Sequence, residues 1–174
     1  MTQPAAGNSA LHTAALARAA QEVLGVAWGC VADQTPAHAP ANVSALPTPS
    51  WYGSALPLSV NGLPHELRLQ ATVGVVGGLL PRMLGRAAST EEVAEMAEEL
   101  VAELVNQVAG HLAGLLGEDG MEVELGIPKA LPNGTNLNPI PVSGEGALAA
   151  NVVRWTFAGN PLVLSLSCAA ASLS

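Results

Sequence analysis

The sequence predicts an α+β fold in which long helices pack on one face of a largely antiparallel sheet. Three observations carry this. Two pairs of strand-like segments are each joined by a tight turn signal, at Asn61-Gly62 and around Ala158-Gly159-Asn160. One long stretch, Ser89 to Gly117, carries a helical apolar stripe between a capping box and a glycine. The elements come in the order helix, strand, hairpin, short helix, long helix, strand, hairpin, which suits helices layered on a sheet.

In chain order, residues 1–8 read as a disordered tail and 9–174 as a single domain, within the range that buries a sizeable core unaided. Asn8 or Ser9 caps a first helix carrying Leu11, Ala14, Ala15, Leu16, Ala20, Val23 and Leu24, and Gly25 closes it. Val26 to Ala32 is apolar and short, and reads as a buried strand. The Pro-rich segment 33–53 is a loop, followed by the first hairpin on both sides of Asn61-Gly62.

A short helix is expected near Gly78, keeping Pro81 in its first turn. The long helix follows, with Ser89 and Glu92 at capping-box spacing and Gly117 as its stop. Met121 to Ile127 alternates as a strand, Pro128 to Gly146 is a loop, and 148–157 with 162–169 forms the second hairpin.

The formal net charge of −8 comes from 14 acids against 6 bases, and ten of the acids fall between Glu91 and Glu124. Nucleic acid and anionic membrane surfaces need basic patches, so neither is an expected partner. Hydrophobic residues make up 49% of the chain, enough for extensive burial and for self-association. The N-terminus lacks the basic start of a signal peptide, and no uncharged apolar run is long enough to span a bilayer. A cytoplasmic protein is expected. Cys30 and Cys168 are isolated in apolar runs and read as small core residues; no His, Cys or carboxylate spacing suggests a metal site.

At 100° per residue, Glu103, Asn106 and Gly110 fall within about 40° of Glu99 on the long helix. Ala97, Val101, Leu104, Val108, Leu112 and Leu115 gather on the opposite side, where the core must be. The Glu/Asn row therefore points outward. By pattern alone such residues are a solvated helix face. Gly110 adds weight, because a mid-helix glycine costs about 1 kcal/mol against alanine and asks for a reason such as close approach of another backbone.

The segment ELVAELVNQVAG, Glu99 to Gly110, resembles the signature helix of the CheC/CheX phosphatases, in which an acid precedes Glu-Leu-x-Asn and a glycine follows the asparagine by four. MEVELGIPKAL resembles that family's strand ending in an apolar-Pro step. The single Glu-x-x-Asn is similar to CheX, usually a dimer with one site per chain, more than to CheC, which often carries two. His111 stands where the family commonly has Asn, and Glu99 where Asp is usual.

The resemblance implies a phosphatase that removes the aspartyl phosphate of a CheY-type response regulator, with Glu103 and Asn106 catalytic and Glu99 and Gly110 in partner docking. Glu103 would pair with the receiver's lysine and Asn106 would aim water. The Mg2+ would belong to the receiver, leaving this chain with no cofactor of its own, and a homodimer is implied. The alternative is a non-catalytic CheC-like module that binds a receiver domain or a receptor deamidase. A purely structural dimer with an exposed acidic helix is a third reading.

Overall fold

The computed structural model describes residues 5–32, 51–132 and 151–168, with side chains from His12 onward in the first helix. The Pro-rich loop over 33–50 and the loop over 133–146 lie outside the described residues, as do 1–4, 147–150 and 169–174.

Among the described residues seven strands form one sheet in the order β1-β6-β7-β3-β2-β4, with β5 also on β2, and every pairing is antiparallel. They are β1 (Val31–Ala32), β2 (Trp51–Val60), β3 (Leu63–Thr72), β4 (Val123–Leu125), β5 (Lys129–Leu131), β6 (Asn151–Phe157) and β7 (Asn160–Cys168). Both hairpins turn in two residues. Asn61 and Gly62 have φ of 50° and 75°, Ala158 and Gly159 of 49° and 80°; two consecutive left-handed residues match the twist of the strands they join. The turns fix register, which sets Leu56 opposite Leu67, Leu67 opposite Leu166, Leu69 opposite Leu164 and Ala71 opposite Leu162. These side chains form a fully or almost fully buried layer.

The helices cover that layer. They are α1 (Ala5–Ala20), which runs on into a π-helical turn (Gln21–Ala27), α2 (Val73–Leu84) and α3 (Thr90–Glu118). Helix α3 packs on β2 and β3, and α1 and α2 pack on α3. Its capping box forms as the spacing requires: Ser89 Oγ accepts from Glu92 N (3.2 Å) and Glu92 Oε2 accepts from Ser89 N (2.9 Å). Arg86 also pairs with Glu92, and hydrogen bonding to that guanidinium, followed by the Ser89 backbone, holds the Glu92 carboxyl down at about 2.

By length and composition α3 could cross a membrane, but its apolar side is taken by the core: Ala97, Leu100, Val101, Leu104, Val105, Val108, Ala109, Leu112 and Leu116 are all buried. Leu115, expected in the stripe, is only half-buried, its place taken by Leu116.

Six elements differ from the sequence expectation. Helix α1 begins at Ala5, taking in residues 5–8 of the expected tail. It does not close at Gly25. The chain widens into the π turn, in which Trp28 N–H donates to Val23 O (3.1 Å), and ends at Gly29 with φ of 71°. The expected strand over Val26–Ala32 is thereby reduced to Val31–Ala32, with Val26 77% and Val31 65% exposed. Gly25 instead brings Trp155 close: a Cβ there would lie 3.2 Å from its ring.

Helix α2 starts at Val73, not near Gly78, and carries Pro81 in its interior. Gly74 and Gly78, one turn apart, do not break it. They admit Asn160 and Phe157, which an added Cβ would meet at 2.3 and 2.4 Å. Helix α3 continues through Gly117, and its end is a Schellman motif with Gly120 left-handed at φ of 79°. There Met121 N–H donates to Leu116 O and Gly120 N–H to Gly117 O, each at 3.0 Å. The strand expected over Met121–Ile127 spans only Val123–Leu125, and Lys129–Leu131, expected as loop, adds β5 to the edge of β2.

Candidate functional site

Glu99, Glu103, Asn106 and Gly110 are all exposed on α3, on the side away from its buried stripe. Three of them share one open groove of about 500 Å3, in which Glu99, Glu103, Asn106 and Gln107 form a polar row. Ala102, small enough to leave the floor open, lies among them. The walls are apolar and come from three other places: Trp28 just after the π turn, Met83 near the end of α2, and Pro128 between β4 and β5. Gly110 lies in a neighbouring groove of about 290 Å3 with Arg18, Glu22, His111 and Gly114. A Cβ on Gly110 would meet nothing within 4 Å, so its lack of a side chain serves no packing inside this chain.

The first groove has two carboxylates and no cationic side chain in its lining. Glu103 Oε1 accepts a hydrogen bond from Gln107 Nε2 (2.7 Å), and Gln107 Oε1 accepts one from the Trp28 indole Nε1 (2.9 Å). Among the described residues the Asn106 carboxamide has no hydrogen-bond partner, so both its donor and its acceptor are open to the groove's contents. Arg82, next to Met83 of the wall, is engaged elsewhere: it donates to the Trp28 carbonyl and lies 5.0 Å from the centre of the Phe157 ring. Burial pushes the Cys30 thiol up to about 11, against a smaller opposing pull from Arg82, so it is not a ready nucleophile. Among the described residues no group of three or more His, Cys, Asp or Glu side chains could hold a metal ion.

His111 is exposed and its Nδ1 lies 3.2 Å from Glu22 Oε2. Trp28, Met83, Gln107 and Pro128 were not singled out as site residues by sequence reasoning. They come from four separate stretches, and only the tertiary fold assembles them.

A groove with these properties can receive a cation and a polar, water-bearing group side by side, on a surface whose shape is set by α3. No protein-family model matches the chain, and no curated protein matches it. Solved structures do. A CheC-like chemotaxis protein of Shewanella oneidensis is 14% identical, with a TM-score of 0.62 over 91% of this chain and 98% of that one. CheX of Borrelia burgdorferi, in a complex with CheY, BeF3 and Mg2+, is 15% identical, with a TM-score of 0.59 over 91% and 96%. FliY of Thermotoga maritima is 19% identical, with a TM-score of 0.53 over 97% and 92%. The α+β architecture, with three helices on a seven-stranded antiparallel sheet, is thus the fold of the CheC/CheX chemotaxis proteins.

Proposed function

We propose that this chain is a cytoplasmic phosphatase that hydrolyses the aspartyl phosphate of a CheY-type response regulator, acting as a homodimer with one site per chain. The observation that carries the reading is the exposure of Glu103 and Asn106 in one groove of a CheC/CheX fold. The fold resemblance to a CheX solved with CheY, BeF3 and Mg2+ supports a receiver domain as the partner.

In this scheme the receiver brings its phosphoaspartate, its Mg2+ and a lysine to α3. Glu103 takes the lysine ammonium, which the cation-free groove leaves unopposed. Glu99, one turn before Glu103, and Gly110, one turn after Asn106, border the docked surface. Asn106 accepts a hydrogen bond from a water and holds it in line with the P–O bond to the aspartate. Water oxygen bonds to phosphorus, that P–O bond breaks, and the electron pair leaves on the aspartate carboxylate. The water proton passes to the phosphate and solvent. Because the transition state is loose and metaphosphate-like, positioning and charge suffice and no covalent intermediate on this chain is needed.

The test is the rate of phosphate loss from phosphorylated CheY-type receivers with and without this protein and its Asn106→Ala variant. Acceleration that vanishes in the variant is expected. Binding without acceleration would overturn the phosphatase reading in favour of a receiver-binding module.

A further inference from the structure

We propose that Gln107 is a positioning residue, which uses the Trp28 indole as an anchor to hold the Glu103 carboxylate ready for a docking cation. The inference rests on the phosphatase reading above for its purpose, and on the Trp28–Gln107–Glu103 chain of hydrogen bonds for its geometry.

The chemistry of the three groups permits only one orientation of the amide. An indole N–H donates and cannot accept; an ionised carboxylate accepts and cannot donate. A carboxamide between them must turn its oxygen to Trp28 and its nitrogen to Glu103, as the 2.9 and 2.7 Å contacts have it. Gln107 is thereby fixed at both ends. The 103/107 spacing puts the two side chains on adjacent turns of one helix face, and the contact with Trp28 ties that face to a residue 79 positions away.

Trp28 is a firm anchor. Its ring is half-buried against the core, its backbone N–H is held by Val23 O, and its carbonyl is held by Arg82, which lies over Phe157. The neutrality of Gln107 matters too. A lysine or arginine at this position would compensate the Glu103 charge inside the chain, whereas an amide orients the carboxylate and leaves its charge, and most of its lone-pair sites, for an outside ammonium. A carboxylate already held loses less side-chain freedom on docking, worth about threefold to tenfold in affinity. Asn106 takes no part in these hydrogen bonds, so the chemical step should be spared.

The experiment has two arms. In the isolated protein, the Trp28 indole N–H resonance, assigned by its loss in Trp28→Phe, should shift in Gln107→Leu and also in Glu103→Ala, where the released amide is free to turn. With a phosphorylated CheY-type receiver, Gln107→Leu and Trp28→Phe should each raise KM by about threefold to tenfold and change kcat less than about twofold. An indole resonance unmoved in Gln107→Leu, or an unchanged KM, would overturn the positioning role. If the wild-type protein accelerates no receiver's dephosphorylation, the phosphatase reading fails, while the resonance arm still decides whether Gln107 holds Glu103.

Discussion

The two grooves along α3 handle a carboxylate in opposite ways. In the first, the hydrogen-bond partner of Glu103 among the described residues is the neutral amide of Gln107, and no cation lines the groove. In the second, Glu22 is already engaged, with Arg18 Nε and His111 Nδ1 each 3.2 Å from one of its oxygens. A carboxylate with a cation beside it has little attraction left for another, and one without has most of it. The difference teaches where an outside charge would be taken up, although the two grooves lie on the same helix and both are rimmed by acids.

The largest effect that tests this contrast is expected from Asn106→Ala. Removing one preorganised polar group at a reacting centre costs about 10²–10³ in rate, and the exposed position should leave the melting temperature unchanged. A large fall in melting temperature would sink the outward placement instead. Glu103→Ala comes next, with docking of the phosphorylated receiver weakened about tenfold to a hundredfold, as for a hydrogen bond to a charged group. Its control is Glu22→Gln in the second groove, expected to change docking less than about twofold and stability by at most a few tenths of a kcal/mol, since its pairs are largely exposed. Equal losses from the two substitutions, measured by titration, would erase the distinction between the grooves.

Gly110→Ala sharpens the boundary between them. Nothing within this chain occupies the space, so alanine should raise stability by up to about 1 kcal/mol in denaturant melts. If a receiver's backbone approaches there, docking weakens severalfold at the same time; unchanged docking would confine the interface to the first groove.

The smallest effect concerns acid. His12, on α1, is buried, its Nε2 without a hydrogen-bond partner among the described residues, edge-on to His65 of β3 at 5.2 Å between ring centres. Burial first, and repulsion from His65 second, hold its pKa below 6.5. The folded state therefore favours the neutral ring: the stability this contributes is complete above pH 6.5 and is lost as pH falls below it toward the depressed value. The melting temperature should decline on acidification below 6.5, and His12→Phe should flatten that decline. Because α1 carries Arg18 and runs on into the π turn that carries Glu22, the second groove should loosen in acid before the first.

What was legible in the sequence is what local chemistry determines. The capping box at Ser89, the Asn61-Gly62 turn and the alternation on both sides of it act over a few residues, and the structure repeats them. The outward row of Glu99, Glu103 and Asn106 was legible from helical phase alone. The rest depended on partners distant in sequence. Gly74 and Gly78 look like helix breakers until Asn160 and Phe157 stand over them. Val26 to Ala32 looks like a strand because its residues are apolar, although Val26 and Val31 are exposed. The chain of bonds from Trp28 through Gln107 has no signature at all in either local segment.

The π turn has a consequence for rotational phase. One residue more than an α-helix needs is accommodated between Gln21 and Ala27, and each residue of a helix advances the next by about 100°. The segment thus acts as a coupling between two gears. Upstream, Leu16, Ala19 and Ala20 mesh with the core; downstream, Trp28 meshes with Gln107. Deleting a single residue from this turn would keep the first mesh and swing the indole away from the second, disengaging Glu103 from its support without altering any residue of α3.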